Sequence, residues 1–73
     1  MHRYLMKSLH EKQPLEIIYI SEKQSITQRT ILVNEINSHN IRAYCFLRNQ
    51  NRLFKINNIL SVFPKKQKEP HIS

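Results

Sequence analysis

The sequence predicts a mainly β domain: a small five-stranded antiparallel barrel preceded by one short helix. Three observations carry this. Along residues 41–48 small or aliphatic side chains alternate with arginines and aromatic rings, the period of a strand with one buried face. β-Branched and aromatic residues dominate residues 15–21 and much of 25–36, with polar turns between. With only 73 residues, about 50 of them in strands and turns, a sheet resolves its open edges best by curling on itself.

Residues 3–12 fit a short helix whose Leu5, Met6 and Leu9 form a narrow apolar stripe. Gln13-Pro14 ends it, because a residue before proline is pushed out of the helical region. A helix of about ten residues is marginal alone and must dock on the rest of the chain. The first strand, LEIIYIS, is followed by a turn at Glu22-Lys23-Gln24. Residues 25–36 are long for one strand, and Ile26, Ile31, Leu32, Val33 and Ile36 match neither strict alternation nor a helix. A strand that bends at a bulge and changes its buried face accounts for them. Asn37-Ser38-His39-Asn40 turns the chain into the central hairpin.

The first arm of that hairpin sets Ile41, Ala43, Cys45 and Leu47 on one side and Arg42, Tyr44, Phe46 and Arg48 on the other. Asn49-Gln50-Asn51 serves as the loop, asparagine tolerating left-handed backbone. The return arm, residues 52–56, groups Arg52, Phe54 and Ile56 on one face. Asn57-Asn58 suits a single helical turn before a last strand over 59–62, and Phe63-Pro64 closes the domain. The expected domain is 1–64, with 65–73 a flexible basic tail. Expected buried positions are Ile17, Tyr19, Ile31 or Leu32, Ala43, Cys45, Leu53 and Ile59. An SH3-like or Sm-like barrel fits this order best; a flat sheet with the helix on one face is the alternative.

Twelve Lys/Arg against five Asp/Glu give a net charge of +7, which favours a polyanionic partner. The chain has no glycine, so neither a P-loop nor a dinucleotide fingerprint can be built from it. No apolar run approaches the roughly 20 residues of a membrane span, and charges interrupt any signal-peptide core. The single cysteine, Cys45, forms no internal disulfide, so a cytoplasmic location is expected. His2, His10, His39 and His71 lack metal-ligand spacing, and the five scattered carboxylates form no acid/base pair. The expectation is a non-enzyme with no metal and no cofactor.

The residues that point to a ligand are Arg29, Arg42, Arg48, Arg52 and Lys55, set around Tyr44 and Phe54. Arginine grips phosphate through a planar fork and stacks on bases, and aromatic rings beside a basic groove stack bases with little sequence preference. Each has a plainer role open to it: the rings as core, Arg29 bridging to Glu16 or Glu35, Arg42 and Arg48 as solvated charges, Cys45 as a small buried hydrophobe.

IRAYCFLRNQNRLFKINNILSV resembles the core of the WYL domain, a bacterial regulatory module with an Sm/SH3-like barrel. Tyr44 matches the motif tyrosine; Arg52, Phe54, Lys55 and Ile56 match its Arg-x-Phe-[Arg/Lys]-[Leu/Ile] strand, and Ile59 the isoleucine after the turn. PLEIIYIS resembles the first strand, and Gln28-Arg29-Thr30-Ile31 the Ser-Arg-Thr-Val element. Ala43 stands where that family has Trp, and Cys45 where it has Leu, which thins the packing at one end. The resemblance covers about residues 15–62 and implies a module that senses single-stranded nucleic acid or nucleotides, with Arg29 and Arg52 at the implicated positions. The family's usual winged-helix domain and C-terminal extension do not fit within these 73 residues.

The functional expectation is thus a non-catalytic ligand-sensing module of transcription regulation. It would bind single-stranded nucleic acid or a nucleotide through a basic-aromatic face. The alternative is a protein-interaction module that assembles by barrel edge strands, as a homodimer or with a separate DNA-binding subunit; a more distant one is an Sm-like RNA-binding ring.

Overall fold

The computed structural model describes residues 2–65. Helix α1 (His2–Glu11) is followed by strands β1 (Leu15–Ile20), β2 (Ile26–Ile36), β3 (Asn40–Cys45) and β4 (Gln50–Lys55). A 3-10 turn (Ile56–Asn58) then leads into β5 (Ile59–Pro64). All pairings are antiparallel, in the order β4-β3-β2-β1-β5. Of the expected tail, 65–73, Lys65 is held to the domain by its backbone N–H bond to the Pro14 carbonyl, and 66–73 lie outside the described residues.

β4 and β5 are the outermost strands of this sheet, yet only three residues join them. Strands spaced about 4.8 Å apart would put the two edges of a flat five-stranded sheet about 19 Å apart. A three-residue 3-10 turn rises only about 6 Å. The sheet therefore curls until β4 meets the far side, and the Lys55 backbone N–H donates to Tyr19 Oη of β1 at 3.0 Å. The bend expected in the long strand is present as a break in the β2–β3 register between Val33 and Glu35. The flat-sheet alternative is excluded by the same geometry.

The core holds Leu15 and Ile17 of β1, Ile31 and Val33 of β2, Ile41, Ala43 and Cys45 of β3, Phe54 of β4 and Ile59 of β5. Leu5 of α1 closes it. Tyr19 is only partly buried and packs against this cluster. Two expectations need correction here. Leu53 is 58% exposed while Phe54 is only 3% exposed, the reverse of the predicted faces. A three-residue hairpin loop joins odd-numbered positions to odd ones, which would put Leu53 beside Leu47 on the Ala43 side. The chain instead turns through the four residues between Cys45 and Gln50, pairing Ile41 with Phe54 and Ala43 with Arg52. A one-residue change of this kind flips every side chain of the arm. Leu47, now in the turn, is 68% exposed.

The helix stripe shifts as well. Leu5, Ser8 and Leu9 face the sheet, and Met6 is 37% exposed. Ser8 is buried and its Oγ accepts the Val33 backbone N–H at 3.0 Å. β1 begins at Leu15 opposite Ile31, so no β1 residue stands across from Val33, and the helix supplies the acceptor instead. Ser8→Ala leaves that N–H unsatisfied and is expected to cost about 1–3 kcal/mol in urea denaturation, with the dichroism spectrum unchanged. A loss near zero would mean that the helix is not fixed to β2 through this bond.

Without glycine, the chain places Lys12, Gln24 and Asn49 in the left-handed region, at φ of 57°, 67° and 55°. These are the stop of α1, the β1–β2 turn and the hairpin turn.

Candidate anion-binding cleft

β1 and β2 carry inward-facing side chains at odd positions, because Leu15 pairs with Ile31, Ile17 with Arg29 and Tyr19 with Thr27. Arg29 therefore points to the core side, near the end where the core runs out. The hairpin register does the same for Arg52, opposite Ala43. Both guanidinium-bearing side chains are half-buried and line one cleft of about 530 Å³ between the β1–β2 turn and β4. Tyr19, Thr27, Phe54 and Lys55 also line it. The Tyr19 and Phe54 rings meet edge to face there, with centroids 5.1 Å apart and planes at 82°.

Arg29 is aimed by its neighbours. Its Nε donates to Thr27 Oγ1 at 3.2 Å and its Nη1 to Cys45 Sγ at 3.7 Å. Burial opposes ionisation of the Cys45 thiol, but the Arg48 N–H, the Arg29 guanidinium and the Leu47 N–H together hold its pKa below the ordinary value. Lys55 is engaged differently: its Nζ lies 2.9 Å from Glu22 Oε2 across the mouth of the cleft. Hydrogen bonding to Lys55 and its charge lower the Glu22 pKa, and the same contact raises that of Lys55. Glu16 does not reach Arg29: it accepts from Gln28 Nε2 at 2.9 Å and pairs with Lys65 at 3.3 Å. Among the described residues neither Arg29 nor Arg52 is paired with a carboxylate. Four cations, Lys23, Arg29, Arg52 and Lys55, line the cleft against the single carboxylate of Glu22.

The remaining predicted site residues lie elsewhere. Arg42 and Tyr44 occupy the outer face of β3, paired with Leu53 and Asn51. Tyr44 packs edge to face on the exposed Phe46, with ring centroids 5.4 Å apart. Arg48 sits in the exposed hairpin turn. Arg42 meets Arg52 only at a shallower depression of about 380 Å³ shared with Asn51 and Leu53. The single basic-aromatic face thus divides in two, and Phe54, buried in the core, offers no ring face for stacking. Sequence reasoning passed over Thr27 and Tyr19 as site residues. Both were findable, since each shares a strand face with a residue already singled out, Thr27 with Arg29 and Tyr19 with Ile17. No group of three or more potential metal ligands occurs among the described residues. No helix among them is long and apolar enough to cross a membrane.

No family model matches the sequence, and no curated protein matches it. Among solved structures the fold is similar to that of proteasome accessory factor B/C (PafBC) of Arthrobacter aurescens, with a TM-score of 0.75 and 20% sequence identity. The likeness covers 90% of this chain and 11% of that chain, so this domain corresponds to about a tenth of the larger protein. At that identity what the two share is the fold: five antiparallel strands curled behind one helix.

Proposed function

We propose that this chain is a non-catalytic ligand-sensing module whose cleft takes the phosphate of a nucleotide or of a single-stranded nucleic acid. The observation that carries the reading is the convergence of Arg29 and Arg52, half-buried and without a carboxylate partner among the described residues, on one cleft. Two unneutralised guanidinium groups lining one cleft favour a ligand with several anionic oxygens, which each grips in a fork. A volume of about 530 Å³ lies within the range of small-molecule sites. The resemblance to WYL modules and the fold shared with PafBC support a regulatory role. Affinity comes from the arginines and from contact with exposed Leu53 at the rim, with Tyr44 and Phe46 outside the cleft.

The test is binding of a labelled oligothymidylate across a salt series. Two or three phosphate contacts give a slope of log K on log salt between about −1.4 and −2.1, at about −0.7 per contact for single strands. A much steeper slope would mean that the whole +7 surface attracts the strand and the cleft is not its site.

A further inference from the structure

The β4 edge has a property that the cleft does not use. Hydrogen bonding alternates along the strand. The Ile56 N–H donates to the His39 carbonyl on the β3 side at 3.0 Å, and the Lys55 N–H turns the other way, to Tyr19 Oη. By the same alternation Phe54 and Arg52 bond to β3, while the N–H and C=O groups of Leu53 and Asn51 face away from it. Among the described residues no strand lies beyond β4 at this point. The β3–β4 register runs without a bulge, and β4 contains no proline. The opposite edge is different: β5 ends in Pro64, and its pairing with β1 is broken by an irregularity at Ile18/Tyr19. Proline and bulges are the devices that block strand addition, so β4 is the receptive edge.

Charge decides what would add to it. A second copy would bring its own Arg42 and Arg52 to the same seam, on a chain of net charge +7. That opposes self-pairing and favours an acidic partner. We propose that the β4 edge at residues 51–53, short of the Lys55 N–H that Tyr19 Oη already takes, docks an extended acidic segment of another protein, which joins the sheet as a further strand. A side chain of that segment beside Arg52 points into the cleft toward Arg29, and its neighbours point outward beside the 58%-exposed Leu53. The segment is therefore one in which acidic and apolar residues alternate. Backbone bonds supply the affinity and the alternating side chains the selectivity.

The probe is a labelled eight-residue peptide of alternating valine and glutamate, blocked at both ends, with fluorescence anisotropy as the readout on the full chain. Three comparators are used: valine alternating with lysine, the same valines and glutamates in two separate blocks, and the original peptide N-methylated at its central residues. The alternating acidic peptide is expected to bind at least tenfold tighter than each comparator and to slow hydrogen exchange at the Leu53 and Asn51 amides. Equal binding by the block and N-methylated peptides would overturn the proposal, reducing it to charge attraction. So would no binding at about 0.1 M salt. An oligothymidylate titrated into the protein without peptide reads the phosphate site separately, since its binding needs no backbone pairing with β4.

Discussion

Arg52→Glu is expected to lower affinity for a single-stranded oligonucleotide by at least about 100-fold at about 0.1 M salt, with Arg48→Glu lowering it less than about threefold. A hydrogen bond to a charged group contributes about 1.5–3 kcal/mol, and each 1.4 kcal/mol is tenfold in affinity. The glutamate removes that contact and sets a charge that repels phosphate in the cleft that Arg29 also lines. Arg48 is in the exposed turn and does not line the cleft, and at that salt exposed charges are screened beyond about 10 Å. Thermal melts of both variants show whether folding is intact. Equal losses from the two substitutions would remove the cleft from the account.

Phe54→Ala is expected to cost about 3–5 kcal/mol in urea denaturation, and Leu53→Ala no more than about 0.5 kcal/mol. Phe54 is in contact with the core and stacks edge to face on Tyr19, so its loss opens a cavity beneath the cleft. Domains carry roughly 0.05–0.15 kcal/mol of stability per residue, which leaves a chain of this length close to unfolding after such a change. Leu53 projects outward and gives up little. The two adjacent positions thus report the hairpin register directly: a three-residue loop would exchange their effects.

That exchange marks where the sequence stopped being legible. The strands, the 3-10 turn at Asn57-Asn58 and the bend in β2 follow from local chemistry: β-branched runs, paired asparagines, and an apolar pattern that breaks phase. The inner side of β3 was also readable, since Ile41, Ala43 and Cys45 alternate cleanly and all are buried. The return arm was not, because RLFKI is apolar on both faces and its side is set by the number of residues in the turn. Met6 and Ser8 raise the same difficulty in the helix. A hydroxyl outranks a thioether there because β2 has an N–H to satisfy, a long-range demand that helical periodicity does not encode. The cleft inherits both problems. Arg29 and Arg52 were identifiable as candidates, but their meeting on one side depends on two registers at once, and the same parity removes Phe54 from the surface and sends Arg42 and Tyr44 outward.

Where the polypeptide enters and leaves the sheet, the Lys65 N–H donates to the Pro14 carbonyl at 3.0 Å, and Gln13 Nε2 donates to both the Pro14 and Lys65 carbonyls. Entry and exit are therefore one place on the surface, so the strands form a loop that could be spliced into a host chain at a single point without spreading the host's ends. The same arrangement sets the response to tension. Leu15 and Pro64 are opposite partners at the start of the β1–β5 ladder. A pull applied at Pro14 and Lys65 opens that ladder one pair at a time, like a zip, and never loads its bonds together in shear.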